Sequence, residues 1–340
     1  MNDDLAAHQF AEAVSGLAPV ALRSAATLRL ADHIIAGHDR LPALAEQAGA
    51  DPDLLERLMR FLVCRQVFDE PRPGVYGLTS LSVALLDGHP SRLRSWLDQS
   101  GIGAHLDAAT TNLLQALHTG RPPYPELHGR PFYEHLASHA AGTPFDGLRG
   151  AHAESFAAEL VKSYPWPADG HVVDLGGGTG VLVDALMRAY PRLRATLLDL
   201  PDAVRLATER STAADHGDRF TAMAASFFEP LPSGDVYTLV NVLHNWNDDD
   251  AVRILRNCAR VAAQDTFVLV VERLLDESDP YAMTAMDLGM FLFLGGRERT
   301  LGQYQQLASV AGLAHVGTTE TPTELRVLTF ALARARLSGA

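Results

Sequence analysis

Apolar residues recur along the chain with two different periods, and the change near residue 170 divides it. Over 13–36 the spacing is helical, with Val20, Leu22, Ala25, Leu28, Leu30 and Ile34 on one stripe. The same period continues through Leu41–Ala48, breaks at Gly49-Ala50-Asp51-Pro52, and resumes over Pro52–Val63. Asp51 suits the N-cap of that second helix, and Pro52 falls in the first turn, where a missing N–H costs nothing. Residues 67–78 predict two short strands around a Pro73-Gly74 turn. Residues 104–165 read as helical with an interruption over Gly120–Pro125. From Gly170 onward, short apolar runs alternate with amphipathic helices: His171–Leu175, Ala195–Leu200, Arg219–Ala224, Val236–Asn241 and Phe267–Glu272. That alternation predicts a parallel sheet covered by helices. Ala314–Thr319 and Leu325–Ala333 are joined by too little chain for a crossover, so they predict an antiparallel pair.

This pattern divides the 340 residues into a helical module over 1–103, a helical linker over 104–165 and an α/β domain over 166–340. Helix, turn, helix and hairpin in the first hundred residues make a winged-helix pattern, which raises DNA binding as a possibility. Charge argues against it. The helix that would enter a groove carries Asp51, Asp53 and Glu56 against Arg57 and Arg60, and the net charge is −13. A packing or dimerisation module is the better reading. Apolar residues make up 47% and charged residues 20%, as in an ordinary globular protein. The only lysine is Lys162, and the two cysteines, Cys64 and Cys258, read as reduced buried thiols. The first ten residues lack a basic segment followed by an apolar one, and no apolar run reaches the roughly 20 residues a bilayer needs. The expectation is a cytoplasmic protein with neither a membrane nor a nucleic-acid partner.

The strongest chemical signal is Val172-Val173-Asp174-Leu175-Gly176-Gly177-Gly178-Thr179-Gly180, a strand leading through a glycine turn into a helix. Glycine is needed where backbone turns sharply and must approach a ligand without a Cβ. Gly176, Gly178 and Gly180 are spaced Gly-x-Gly-x-Gly with Asp174 two residues ahead, whereas the dinucleotide fingerprint is Gly-x-Gly-x-x-Gly and needs no such acid. An anionic Asp174 suits a ligand with a positive amino group better than a pyrophosphate. Asp199 ends the next strand, 21 residues after Gly178, and is placed to accept hydrogen bonds from ribose hydroxyls. The predicted ligand is an adenosyl group.

His244 follows the strand ending near Val242, at the carboxyl edge where open α/β sheets bind ligands. An imidazole titrating near neutrality is suited to general-base work, although a histidine packed ahead of a helix capped at Asn247 would look the same. Glu272 ends the following strand, which predicts a carboxylate beside His244 that fixes its tautomer.

The motifs Val-Asp-Leu-Gly-Gly-Gly-Thr-Gly, Leu-Asp-Leu-Pro, Phe-Phe-Glu-Pro-Leu-Pro, Leu-His-Asn-Trp-Asn-Asp and Gly-Gly-Arg-Glu-Arg-Thr occur in that order. The series resembles the small-molecule O-methyltransferases that include plant caffeate and acetylserotonin O-methyltransferases and bacterial polyketide-tailoring enzymes. The resemblance implies a Rossmann-like S-adenosylmethionine domain with a C-terminal antiparallel strand pair, and an N-terminal, mostly helical, winged-helix-like dimerisation domain. It implies S-adenosylmethionine as cofactor, S-adenosylhomocysteine as product, no metal, and a homodimer acting on a small acceptor of secondary or antibiotic metabolism. Carried over by position, cofactor contacts fall on Gly176, Asp199, Leu200, Ser226 and Phe227. His244 becomes the base, flanked by Glu272 and Glu298. The acceptor pocket falls on Asn245, Met286, Met290 and Phe293, with Phe132 and His152 contributing. Ser226 and Asn245 stand where relatives carry acids, and Val240 stands where plant members carry a polar or basic residue. The rival implied by the same resemblance is a tailoring enzyme that keeps the cofactor but runs hydroxylase, decarboxylase or pericyclase chemistry.

Overall fold

The computed structural model of the chain describes residues 16–137, 144–276 and 279–333, with the side chains of residues 137, 144–152 and 155 outside that description. Two compact units divide it: residues 1–107 with 142–151, and residues 108–141 with 152–340.

The first unit holds α1 (Leu17–Thr27), α2 (Leu30–Ile35), α3 (Leu41–Ala48), α4 (Pro52–Cys64), the hairpin β1 (Phe68–Arg72) and β2 (Val75–Leu78), α5 (Ser80–Val83) and α6 (Leu93–Leu97). Ala25, Ala26, Leu30, Leu44, Met59, Leu62, Phe68 and Tyr76 form its core. The single helix expected over 13–36 is instead two, separated at Arg29, whose φ of 53° is left-handed. Burial of Ala25, Ala26, Leu30 and Ala31 runs across the break, so apolar spacing alone reads straight through it. Residues 13–15 lie outside the described residues. Asp51 caps α4 as expected, accepting from the Leu54 N–H at 2.9 Å. Among the described residues, no helix is long and apolar enough to cross a membrane.

Helices α7 (Ile102–Thr111), α8 (Leu113–Thr119), α9 (Pro123–His128), α10 (Phe132–Ala137) and α11 (Pro144–Ser163) follow. The interruption expected over 120–125 shrinks to 120–122. Pro123 and Pro125 sit inside the first turn of α9, where backbone N–H groups have no intrahelical acceptor to lose.

The second unit is built on a seven-stranded sheet. In chain order it contains β3 (Asp169–Leu175), α12 (Val181–Ala189), β4 (Arg192–Asp199), α13 (Pro201–Ala213), β5 (Phe220–Ala224), β6 (Val236–Val240), α14 (Asp248–Val261), β7 (Phe267–Arg273), α15 (Pro280–Leu294), α16 (Leu301–Val310), β8 (Leu313–Glu320) and β9 (Leu325–Leu332). The strand order is β5-β4-β3-β6-β7-β9-β8. The first five are parallel, while β9 runs antiparallel to both β7 and β8. Alternate residues supply opposite faces. Val173, Leu175, Val268 and Val270 pack toward α14 and α16. Val172, Leu269 and Val271 pack toward α11 and α12. Burial on both faces is why these strands read as unbroken apolar runs. Chain order reverses between β3 and β6, and that switch point is where open α/β sheets hold ligands.

Candidate active site

Two loops leave the carboxyl ends of the adjacent strands β3 and β6. The first is the glycine turn, with positive φ at Gly176 (73°), Gly178 (58°) and Gly180 (77°). A Cβ on Gly176 would lie 2.8 Å from Val242 Cγ2, so the glycine turn abuts the residue that opens the second loop. Nothing lies within 4 Å of a Cβ placed on Gly178, whose N–H donates to Asp199 Oδ2 at 2.7 Å. Asp199 Oδ1 accepts from the Leu200 N–H, also at 2.7 Å. Backbone amides thus hold this half-buried carboxylate in place at the end of β4. Leu200 is 44% exposed beside it.

Asp174 departs from its expected place. It is buried beneath the turn and does not face out from it: Oδ1 accepts from the Thr238 hydroxyl at 2.6 Å, and a Cβ on Gly177 would overlap Oδ2. Oδ2 has no hydrogen-bond partner, and burial pushes this carboxyl up to about 6. A cation held above the turn would favour its ionised form. Ser226 is exposed, and its hydroxyl oxygen already accepts from the Phe228 N–H at 3.2 Å, which leaves one lone pair for a ligand. Phe227 sets its ring edge-on to Trp246 at 5.7 Å and comes within 3.9 Å of a Cβ on Gly176. An open glycine backbone, an amide-held carboxylate, a buried acid with one oxygen unpaired and an aromatic wall together fit an adenosyl sulfonium with a free ammonium group.

The second loop is a 3-10 turn, Leu243–Asn245. Glu272, at the end of β7 and fully buried, spends Oε1 on three successive backbone N–H groups: Val242 at 3.1 Å, Leu243 at 2.9 Å and His244 at 3.3 Å. Its Oε2 lies 3.8 Å from His244 Nδ1. The hydrogen bond expected of Glu272 is made by Glu298, whose Oε1 is 2.9 Å from Nδ1. Glu298 is 2% exposed, buried together with Arg299, while Arg297 on its other side is exposed. Its own N–H donates to Asp287 Oδ1 at 2.8 Å, which ties it to α15. Burial lowers the His244 pKa, but Glu272 and Glu298 outweigh burial and the net direction is upward. Burial likewise lifts Glu272, to about 7. A carboxylate on Nδ1 requires the proton there, so the neutral ring keeps Nε2 bare.

Helix α15 packs against the histidine turn. Met286, Met290 and Phe293 follow one another on one of its faces; Met286 is 39% exposed and the other two are half-buried. Asn245 donates to the Asn241 carbonyl at 3.1 Å. Phe132 is buried in an aromatic cluster, edge-on to Tyr124 at 5.4 Å. The side chain of His152 lies outside the described residues. Reasoning from sequence missed Arg299, which is fully buried, and Gly296, which touches the histidine turn. Both lie in the Gly-Gly-Arg-Glu-Arg-Thr motif, but an arginine in a charged run carries no periodic sign that it is buried. Among the described residues, no group of three or more His, Cys, Asp or Glu could hold a metal ion.

A mixed sheet, parallel through β7, with a glycine turn and a carboxylate-bracketed histidine at its switch point is the arrangement of a nucleoside-cofactor transferase. The chain belongs to the O-methyltransferase family: residues 110–314 match its O-methyltransferase domain and residues 12–88 its dimerisation domain. Methyl transfer from S-adenosylmethionine to oxygen is therefore its enzymatic class. It is 42% identical over 312 residues to the 2,7-dihydroxy-5-methyl-1-naphthoate 7-O-methyltransferase of Streptomyces carzinostaticus, covering 91% of this chain and 93% of that protein. It is 40% identical over 324 residues to the aclacinomycin 10-hydroxylase RdmB of Streptomyces purpurascens, covering 92% and 87%. Among solved structures it is similar to NcsB1, an O-methyltransferase from neocarzinostatin biosynthesis in complex with S-adenosylmethionine and 2-hydroxy-5-methyl naphthoic acid. That match has a TM-score of 0.87 at 38% identity and covers 95% of this chain and 98% of that one.

Proposed function

We propose that this enzyme methylates a hydroxyl on a small aromatic secondary metabolite, with His244 as the general base. The observation that carries the reading is the His244 Nδ1–Glu298 Oε1 contact at 2.9 Å, with Glu272 at 3.8 Å behind it, next to the glycine turn. Gly176, Gly178 and Gly180 leave backbone open to the cofactor, Asp199 and Leu200 hold its ribose, and Ser226 and Phe227 take the adenine. Asp174 offsets the positive charge from below. When bound, S-adenosylmethionine supplies an electrophilic methyl group. The protein's own work is to align the acceptor oxygen and remove its proton, which passes to His244 Nε2. Glu298 then stabilises the imidazolium through Nδ1, and Glu272 holds the turn and adds a second negative charge. Met286, Met290 and Phe293 offer an apolar wall for an aromatic acceptor, and Asn245 offers it an amide. The naphthoate relatives support an aromatic acceptor. The dimerisation-domain match supports a homodimer formed through the first hundred residues, and an intracellular methyl donor supports work in the cytoplasm.

The test uses S-adenosylmethionine labelled with a trideuterated methyl group and a panel of hydroxynaphthoates. The expected product gains that whole group. His244→Ala is expected to lower turnover by about 10²–10⁴-fold with cofactor affinity unchanged by calorimetry. A product that gains oxygen and no deuterium would assign the chain to the chemistry named for its hydroxylase relative. Wild-type turnover in His244→Ala would remove the base from the mechanism.

A further inference from the structure

Among the described residues Arg299 is the largest fully buried side chain, and its five N–H donors are all used. Nη1 donates to the Leu243 carbonyl at 2.9 Å and to the Arg297 carbonyl at 3.3 Å. Nη2 donates to the Trp246 carbonyl at 2.8 Å and to Asp248 Oδ1 at 2.8 Å, and Nε reaches the same oxygen at 3.0 Å. Leu243 and Trp246 bracket His244, so one rigid fork grips the turn on both sides of the base. The grip is continuous with the neighbouring residues. The Arg297 N–H donates to the His244 carbonyl at 2.9 Å, and Glu298 holds the ring itself. From the opposite side, Glu272 takes the N–H groups of the same turn. A buried acid therefore collects the turn's donors while a buried base collects its acceptors.

We propose that Arg299 is a positioning residue for the base: through the Leu243 and Trp246 carbonyls it fixes the turn that seats His244 on Glu298. The inference rests on the reading of His244 as the functional base, but its geometry is measurable without turnover. Burying a guanidinium is costly unless every donor is met, and a packing role alone would be served by an apolar side chain of similar volume. Lysine cannot substitute, because three donors on a point charge do not span two carbonyls and a carboxylate. Asp248 completes the fork from the first turn of α14, and its side chain is 52% exposed, so it can be altered with little effect on the core.

The experiment is NMR of the unliganded, full-length enzyme carrying ¹⁵N-labelled histidine, comparing wild type with R299K, R299A and D248N. In the wild type, the Nδ1 proton shared with Glu298 is expected as a slowly exchanging downfield resonance. R299K and R299A are expected to lose it, D248N to weaken it, and guanidinium added to R299A to restore it. His171, bonded to Thr196, and His216, bonded to Asp184, report on folding in the same unit and are expected to stay unchanged. Should R299A fail to fold, R299K and D248N read the same resonance. A wild-type His244 resonance and titration in both R299K and D248N would overturn the proposal. Loss of the resonance in R299K alongside full turnover in His244→Ala would leave the clamp standing and remove the base.

Discussion

Two carboxylates within 4 Å of one imidazole nitrogen do different work, because only Glu298 spends its oxygen on the ring while Glu272 spends it on backbone. Both raise the affinity of His244 for a proton. On the proposed mechanism, in which neutral His244 takes the proton, the rate is expected to rise with pH through a pKa above the ordinary histidine value of 6.5. Glu298→Gln keeps an acceptor at Nδ1 but removes the charge. Its folded-state histidine pKa should fall, moving the rising limb of the pH–rate profile to lower pH while lowering the plateau about tenfold or more through loss of imidazolium stabilisation. A limb that stays in place would show that Glu298 exerts no field on the base. Glu272→Gln should disturb the turn as well as the charge, because an amide in its place brings two donors among three backbone N–H groups.

The segment between α15 and α16 lies against the histidine turn, and Gly296 sets how close it comes. A Cβ there would overlap the His244 carbonyl oxygen, which already accepts from the Arg297 N–H. Gly296→Ala should therefore push the turn off its carboxylates and cut turnover at least tenfold, while the neighbouring helix keeps its Thr300–Gln303 capping box. Thermal unfolding read beside turnover checks this, since a lost fold and a displaced turn separate there. The elements were legible because their physics is local. Asp51 and Asn247 cap the helices they precede, and the unbroken apolar runs of β3 and β7 mark a sheet buried on both faces. His244 and Glu272 could be brought to one edge from sequence because His244 follows one parallel strand and Glu272 lies at the end of its neighbour. Glu298 needed the family resemblance, as it reaches the site from a loop 54 residues away, and nothing in its spacing reports that contact. Arg29 was missed for a related reason: a left-handed residue that interrupts a helix without disturbing its apolar stripe leaves no trace in a period.

Light scattering at micromolar concentration is expected to give twice the monomer mass. A chain beginning near residue 104 is expected to give the monomer mass or to lose solubility, and a monomeric full-length protein would contradict the assignment of residues 12–88. The net charge of −13 makes copies repel one another in general, so pairing has to overcome that repulsion through specific contacts. In the catalytic unit, the last strand made is not the last in the sheet. β9 lies between β7 and β8, so β8 emerges from the ribosome with no neighbour to pair with until Leu325–Leu332 has also emerged. Glu272 sits on β7, whose second edge also waits for β9, opposite Arg326. Synthesis and assembly are thereby coupled: a chain that ends between Thr300 and Leu325 carries Gly176 through Arg299 but has an open sheet edge at β7, beside Glu272. Chains ending at residue 320 and full-length chains, each tethered to the ribosome by the same linker long enough to clear its exit tunnel, should differ: the first should be digested by protease at β7 and β8, the second should resist. Protection at both lengths would show that the sheet closes without its final strand.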